Sequence, residues 1–141
     1  MLQSLEKYKN EGLVVLRISF GLMYMAHGLP KLLAGPERWT GLGEFVGIGL
    51  FPTFFGFMAA FAEFFGGLFL VLGLFFSPAL ILLILTMIGA TVAHISAGDP
   101  LNSILHPLKG LFVFIALLLL GPGRPSLDAA LGWRRDRAVG R

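Results

Sequence analysis

Long apolar runs dominate the chain. Four stand out: Leu13–Leu33, Pro52–Phe76, Pro78–Ala97 and Ile104–Leu120. A bilayer core of roughly 30 Å is crossed by about 17–25 apolar helical residues, and each run has that length. Membrane-barrel strands are about ten residues long with alternating polarity. These runs are longer and apolar throughout, so strands are a poor reading. Glycine and proline punctuate the boundaries: Gly35-Pro36 after the first run, Ser77-Pro78 between the second and third, Gly98-Asp99-Pro100 after the third, Gly121-Pro122-Gly123 after the fourth. The pattern predicts an all-α, four-transmembrane-helix bundle forming a single membrane domain over residues 1–141. The second and third spans are joined almost without a linker, which predicts a tight antiparallel hairpin. In the longer link, Gly35 to Phe51, Leu42, Phe45, Val46 and Gly49 have helical spacing behind Trp39. That predicts a short interfacial helix between helices 1 and 2, anchored by its aromatic residue.

Composition strengthens this reading. Hydrophobic residues are 56% of the 141 and charged residues 13%, where soluble domains carry about 25% charged residues. Mean hydropathy is +0.82. The chain has no cysteine, which removes disulfides, thiolate metal sites and iron–sulfur clusters. A net charge of +3 would suit nucleic acid, but no nucleic-acid motif accompanies it.

Most of the cations lie at the ends. Lys7 and Lys9 precede the first span; Arg124, Arg134, Arg135, Arg137 and Arg141 follow the last. An even number of spans and the positive-inside rule place both termini in the cytoplasm, in a bacterial or archaeal cytoplasmic (inner) membrane. The first span is too long for a signal-peptide core and lacks a small-residue cleavage site, so it reads as an uncleaved anchor. The basic tail, residues 121–141, reads as cytoplasmic, with Trp133 to Arg137 meeting anionic lipid headgroups.

Four charged residues fall inside the spans: Arg17, Lys31, Glu63 and Lys109. Intramembrane charges are costly and normally face the bundle interior with a partner. At ~1.5 Å per residue, Arg17 lies ~6 Å from the cytoplasmic edge and Glu63 ~16 Å from the outer edge. Their levels are close enough for a long arginine side chain, which predicts an Arg17–Glu63 pair across the first two spans. The alternative is Arg17 snorkelling to headgroups above a protonated Glu63.

Arg17, Phe20, Tyr24, His27 and Lys31 recur every three or four residues and share one helix face. Gly21 and Gly28 beside them allow close helix approach. Gly56, Ala60, Glu63 and Gly67 form a second stripe, either packing surface or room for a ligand. His27 and His94 fall at nearly the same level, and His106 and Lys109 begin the fourth span on that side, where Ser103 is a candidate cap. Such a group has three readings. It is a polar mouth for a small anionic or quinone-like ligand, a metal or bis-histidine haem site, or interfacial polarity with Lys31 and Lys109 reaching headgroups. No GxGxxG, Walker loop, Ser-His-Asp set or HExxH occurs, so any chemistry needs a bound cofactor or partner.

Several segments carry a resemblance. Arg17-Ile-Ser-Phe-Gly-Leu-Met-Tyr-Met-Ala-His27-Gly28-Leu-Pro-Lys31-Leu resembles the first helix of DoxX-family membrane proteins. Glu63-Phe-Phe-Gly66-Gly67 with Leu72-Gly73 resembles their second, Ala93-His94 the end of their third, and Gly121 to Asp128 their closing segment. The resemblance runs from about Leu13 to Leu131. It implies a four-helix membrane fold and a link to quinone-dependent oxidoreductases, including DoxD, the membrane subunit of thiosulfate:quinone oxidoreductase. It marks Arg17, His27, Lys31, Glu63 and His94 for testing.

Two functional classes follow. In the first, the chain is a redox membrane subunit, with quinone as its cofactor rather than haem or metal. Glu63 and Arg17 then relay or balance protons, and Tyr24, His27, Lys31, His94, His106 and Lys109 bind the ligand. In the second, it is a non-catalytic anchor, assembly partner or binder of lipid and small hydrophobic molecules. Its expected partners are membrane lipids, a soluble redox enzyme and further copies of itself, not nucleic acid.

Overall fold

A computed structural model describes residues 7–132. The arginine-rich stretch from Trp133 onward therefore lies outside the described residues. Among the described residues six helices follow one another: α1 (Lys9–Leu33), α2 (Pro36–Phe45), α3 (Pro52–Leu72), α4 (Phe76–Ser96), α5 (Leu101–Leu120) and α6 (Leu127–Ala130). Among the described residues there is no strand. The helices α1, α3, α4 and α5 are each long and apolar enough to cross a membrane. The all-α bundle of four spans, with a short helix between the first two, is the architecture the apolar pattern predicts.

Helix ends differ from the apolar limits for local reasons. α1 starts at Lys9, four residues before the apolar run, and its polar first turn carries Glu11, a carboxylate favoured at a helix N-terminus. α3 stops at Leu72. Gly73 takes a left-handed conformation (φ +63°), its N–H bonds the Leu70 carbonyl, and the Leu74 N–H reaches back to Phe69. This closing pattern favours glycine. α4 begins at Phe76, two residues ahead of Pro78, since proline is tolerated in a first turn. α5 begins at Leu101 after Pro100, so Ser103 lies inside its first turn rather than capping it, and Pro107 sits within the helix.

α1 and α3 meet backbone to backbone. A methyl group at Gly21 would stand 2.7 Å from the Gly67 carbonyl oxygen, and one at Gly28 would fall on the Phe64 amide nitrogen. Small residues permit this approach, and dispersion then holds the helices where no hydrophobic driving force separates protein from lipid. Gly56 and Gly67 of the second stripe are thus packing surface. Gly56 lies against the Trp39 carbonyl. α4 packs on α5, and the ring of Tyr24 on α1 meets Phe114 on α5 edge-on with centroids 4.7 Å apart. Leu70, Phe76, Leu80, Leu83, Phe114 and Leu117 are fully buried between the helices.

The short helix is more tightly held than an interfacial anchor would be. It spans Pro36–Phe45, so Trp39 lies within it and Gly49 beyond it. Its Gly43 rests on the backbone of Pro52, and the hydroxyls of Thr40 and Thr53 share a hydrogen bond of 2.6 Å. It is a roof fastened to α3.

Candidate functional site

Polar side chains gather at both ends of the bundle. At the end carrying the described terminal segments, Arg17 is 3% exposed. It donates from one terminal nitrogen to the Pro122 carbonyl and from the other to the Pro125 carbonyl, each at 2.9 Å. Its Nε is buried without a hydrogen-bond partner. Nearby, Asp128 accepts hydrogen bonds from the Phe75 and Phe76 amides at 2.9 Å through its two carboxylate oxygens. It caps α4 from a distant part of the chain, satisfying donors that the first turn leaves open. The segment after α5 therefore folds back under α1, α3 and α4 instead of leaving as a free tail.

The Arg17–Glu63 pair expected from depth counting does not form. Glu63 is held by Lys31, whose Nζ lies 2.8 Å from Oε1 and 2.7 Å from Oε2. The register explains the exchange. α1 touches the Glu63–Phe64 backbone at Gly28, which sets Glu63 level with that turn. Lys31 is one turn away, and helical side chains lean toward the N-terminus, so Lys31 leans back over Glu63. Arg17 is eleven residues from Gly28, ~16 Å along the axis. Exposure differs within the pair: the Lys31 side chain is 31% exposed and that of Glu63 7%.

Around this pair lies a cavity of about 70 Å³ lined by Tyr24, His27, Lys31, Glu63, His94 and His106, with Met87 at its wall. Five of the six expected ligand-binding residues therefore share one space. Lys109 is exposed and stands apart from it. The imidazoles of His27 and His106 lie side by side, centroids 4.9 Å apart at 33°, with no gap for a macrocycle between them. His27 donates from Nδ1 to the Met23 carbonyl at 2.9 Å, leaving Nε2 available. His94 Nδ1 meets Asp99 Oδ2 at 2.6 Å, and its ring contacts Phe45. The Tyr24 hydroxyl donates to Met87 Sδ at 3.0 Å. Among the described residues no group of three or more His, Asp and Glu is arranged to hold a metal ion.

Sequence reasoning missed several participants. Trp39 donates from Nε1 to the Lys31 carbonyl at 2.9 Å, tying the roof to the ion pair. Asp99 follows His94 across the Gly98 turn, a spacing that could have announced the contact. Met87 and Asp128 carry no local signal; only helix packing brings them to Tyr24 and to α4.

A buried carboxylate clamped by an ammonium, beside three imidazoles and a phenol, can hold protons and bind polar groups at the edge of an apolar ligand. The space as it stands admits about two waters at ~30 Å³ each, so a larger ligand needs a side chain of its lining to move. No curated protein and no solved structure matches the chain. The sequence model of the DoxX family matches residues 12–95, over half of the chain, and with four described helices long and apolar enough to cross a membrane the protein belongs to the DoxX family of multi-pass membrane proteins.

Proposed function

We propose that this protein is the membrane component of a quinone-linked oxidoreductase system, with the quinone headgroup seated at the mouth formed by His27, His94 and His106. The observation that carries this reading is the Lys31–Glu63 pair beneath those imidazoles. A bound quinone supplies two-electron, two-proton chemistry. The chain's residues supply the proton side of it. Histidine titrates in the physiological range. Lys31 swings toward the ligand's carbonyl oxygen, and Glu63, freed of its partner in a low-dielectric site, takes up a proton rather than remain a lone buried charge. Arg17, committed to the closing segment, has no part in this relay. The positive-inside rule sets both termini in the cytoplasm, which puts the mouth at the outer face of a bacterial or archaeal inner membrane.

Titration of purified protein with a short-chain quinone tests the reading. Binding is expected in the wild type and a loss of about tenfold or more, ~1.4 kcal/mol, in His94→Ala and Glu63→Gln. Wild-type affinity in both variants sinks the proposed site.

A second reading has its own support. Arg17 and Asp128 fasten the segment that leads into the basic tail, as an anchor for a soluble partner requires. A colourless preparation that binds no quinone and co-purifies with a soluble enzyme would favour it.

A further inference from the structure

A second cavity, about 380 Å³, lies between α2, α3 and α4. That is within the ~300–1,000 Å³ of small-molecule sites, and several times the polar cavity. Its wall on α4 is Leu82, Leu85, Thr86 and Gly89, where the polar cavity takes Met87, Ala90 and His94 from the adjacent face. Thr86 is the one hydroxyl in the lining, and it is spent on the Leu82 carbonyl at 2.9 Å. Nothing there asks for a polar ligand.

The space lies beneath a roof fastened mainly on one side. α2 is fixed on the α3 side by Gly43 on Pro52, by Trp39 on Gly56 and by the Thr40–Thr53 hydrogen bond. Trp39 adds its bond to the Lys31 carbonyl on α1. On the α4 side the roof has only light contacts: Val46 near Gly89 and Phe45 against His94. Gly89 lets Val46 come close, since a methyl group there would stand 3.2 Å from it, and a larger side chain would enter the cavity. From Gly89 to Leu82 the cavity runs ~10 Å along α4, away from the end where His94 marks the polar mouth.

We propose that this cavity holds the isoprenoid chain of a membrane quinone, running from the His94 level toward the bilayer middle along α4. A polar head at the surface and an apolar chain directed inward is the orientation the bilayer imposes on such an amphiphile. Placing the head rests on the quinone reading above; the chain site rests on the cavity alone.

The test compares a chainless benzoquinone with the same head bearing a decyl chain, on wild type, Gly89→Leu and Ala59→Leu. Both substitutions place a bulky side chain in the cavity and narrow it. The chain-bearing quinone is expected to bind the variants about tenfold more weakly or worse, with the chainless head unaffected. Equal binding of the chain-bearing quinone to all three proteins overturns the proposal. A photoreactive diazirine at the end of the decyl chain covers the case in which the variants fail to fold. On the wild type, labelling should fall within residues 42–48, 54–59 or 82–89, and labelling spread over the outward face of α5 overturns the chain site. If the chainless head does not bind but the diazirine labels the cavity, the quinone-head reading falls and the chain site stands.

Discussion

Lys31 grips both carboxylate oxygens of Glu63, at 2.8 and 2.7 Å, from one turn beyond the point where α1 and α3 touch. The two residues contribute unequally to the cost of breaking the pair. Removing Lys31 strands a charge that is almost wholly buried; removing Glu63 strands an ammonium that already reaches solvent or headgroups. Loss of one partner of a buried pair costs about 3–5 kcal/mol, and partial exposure of Lys31 reduces this. We expect Lys31→Met to destabilise by about 2–3 kcal/mol and Glu63→Gln by about 1, read by thermal unfolding in detergent. The double variant Lys31→Met/Glu63→Leu should recover most of the loss. A larger penalty for Glu63→Gln than for Lys31→Met would contradict the buried-carboxylate account.

Arg17 serves the closing segment. Its two terminal nitrogens reach carbonyls on either side of a turn, a fork that a lysine ammonium does not reproduce. Arg17→Lys should cost about 1.5–3 kcal/mol, the range for hydrogen bonds to a charged group. Amide exchange from Ser126 to Leu131 should accelerate about tenfold or more. Quinone affinity should stay at the wild-type level. A loss of affinity with unchanged exchange would return Arg17 to the ligand site.

Asp128 caps α4 from outside. Asp128→Ala removes the carboxylate that accepts from the Phe75 and Phe76 amides, at a cost of about 1–2 kcal/mol on the scale of helix N-caps. Faster exchange confined to the first turn of α4 is the expected signature. Protection there equal to wild type would show that another group has taken over the cap.

Tyr24 and Gly110 form a testable steric couple. A methyl group at Gly110 would overlap the Tyr24 hydroxyl. Gly110→Ala should therefore be costly in the wild type and much milder in Tyr24→Phe, with a coupling of about 1 kcal/mol or more in a double-mutant cycle. Additive effects would mean that the phenol is not the obstacle.

How much was legible before folding depended on the range of the signal. The four spans follow from runs of apolar residues, because backbone groups in lipid must bond within their own segment and a helix does so locally. The stripe from Tyr24 to Lys31 was equally readable, since helical periodicity alone puts those side chains on one face. Their meeting with Glu63, His94 and His106 required the helices to be placed side by side, and depth counting chose the wrong cation for Glu63. It measured from the limits of apolar runs, whereas the register is decided by where two glycine-bearing backbones can touch.

The sequence by itself therefore determined that this chain is a helical membrane bundle, where its spans lie and that Tyr24, His27 and Lys31 share one helix face. Those properties depend on transfer from water to lipid and on a period of 3.6, both local along the chain. Tertiary structure alone decided that Lys31 rather than Arg17 neutralises Glu63, that Asp128 caps α4, and that α2 roofs an apolar cavity. Each of these depends on contacts between residues far apart in the chain, set by steric approach at positions such as Gly28, Gly43 and Gly56, where the absence of a side chain fixes how near and in what register two helices lie.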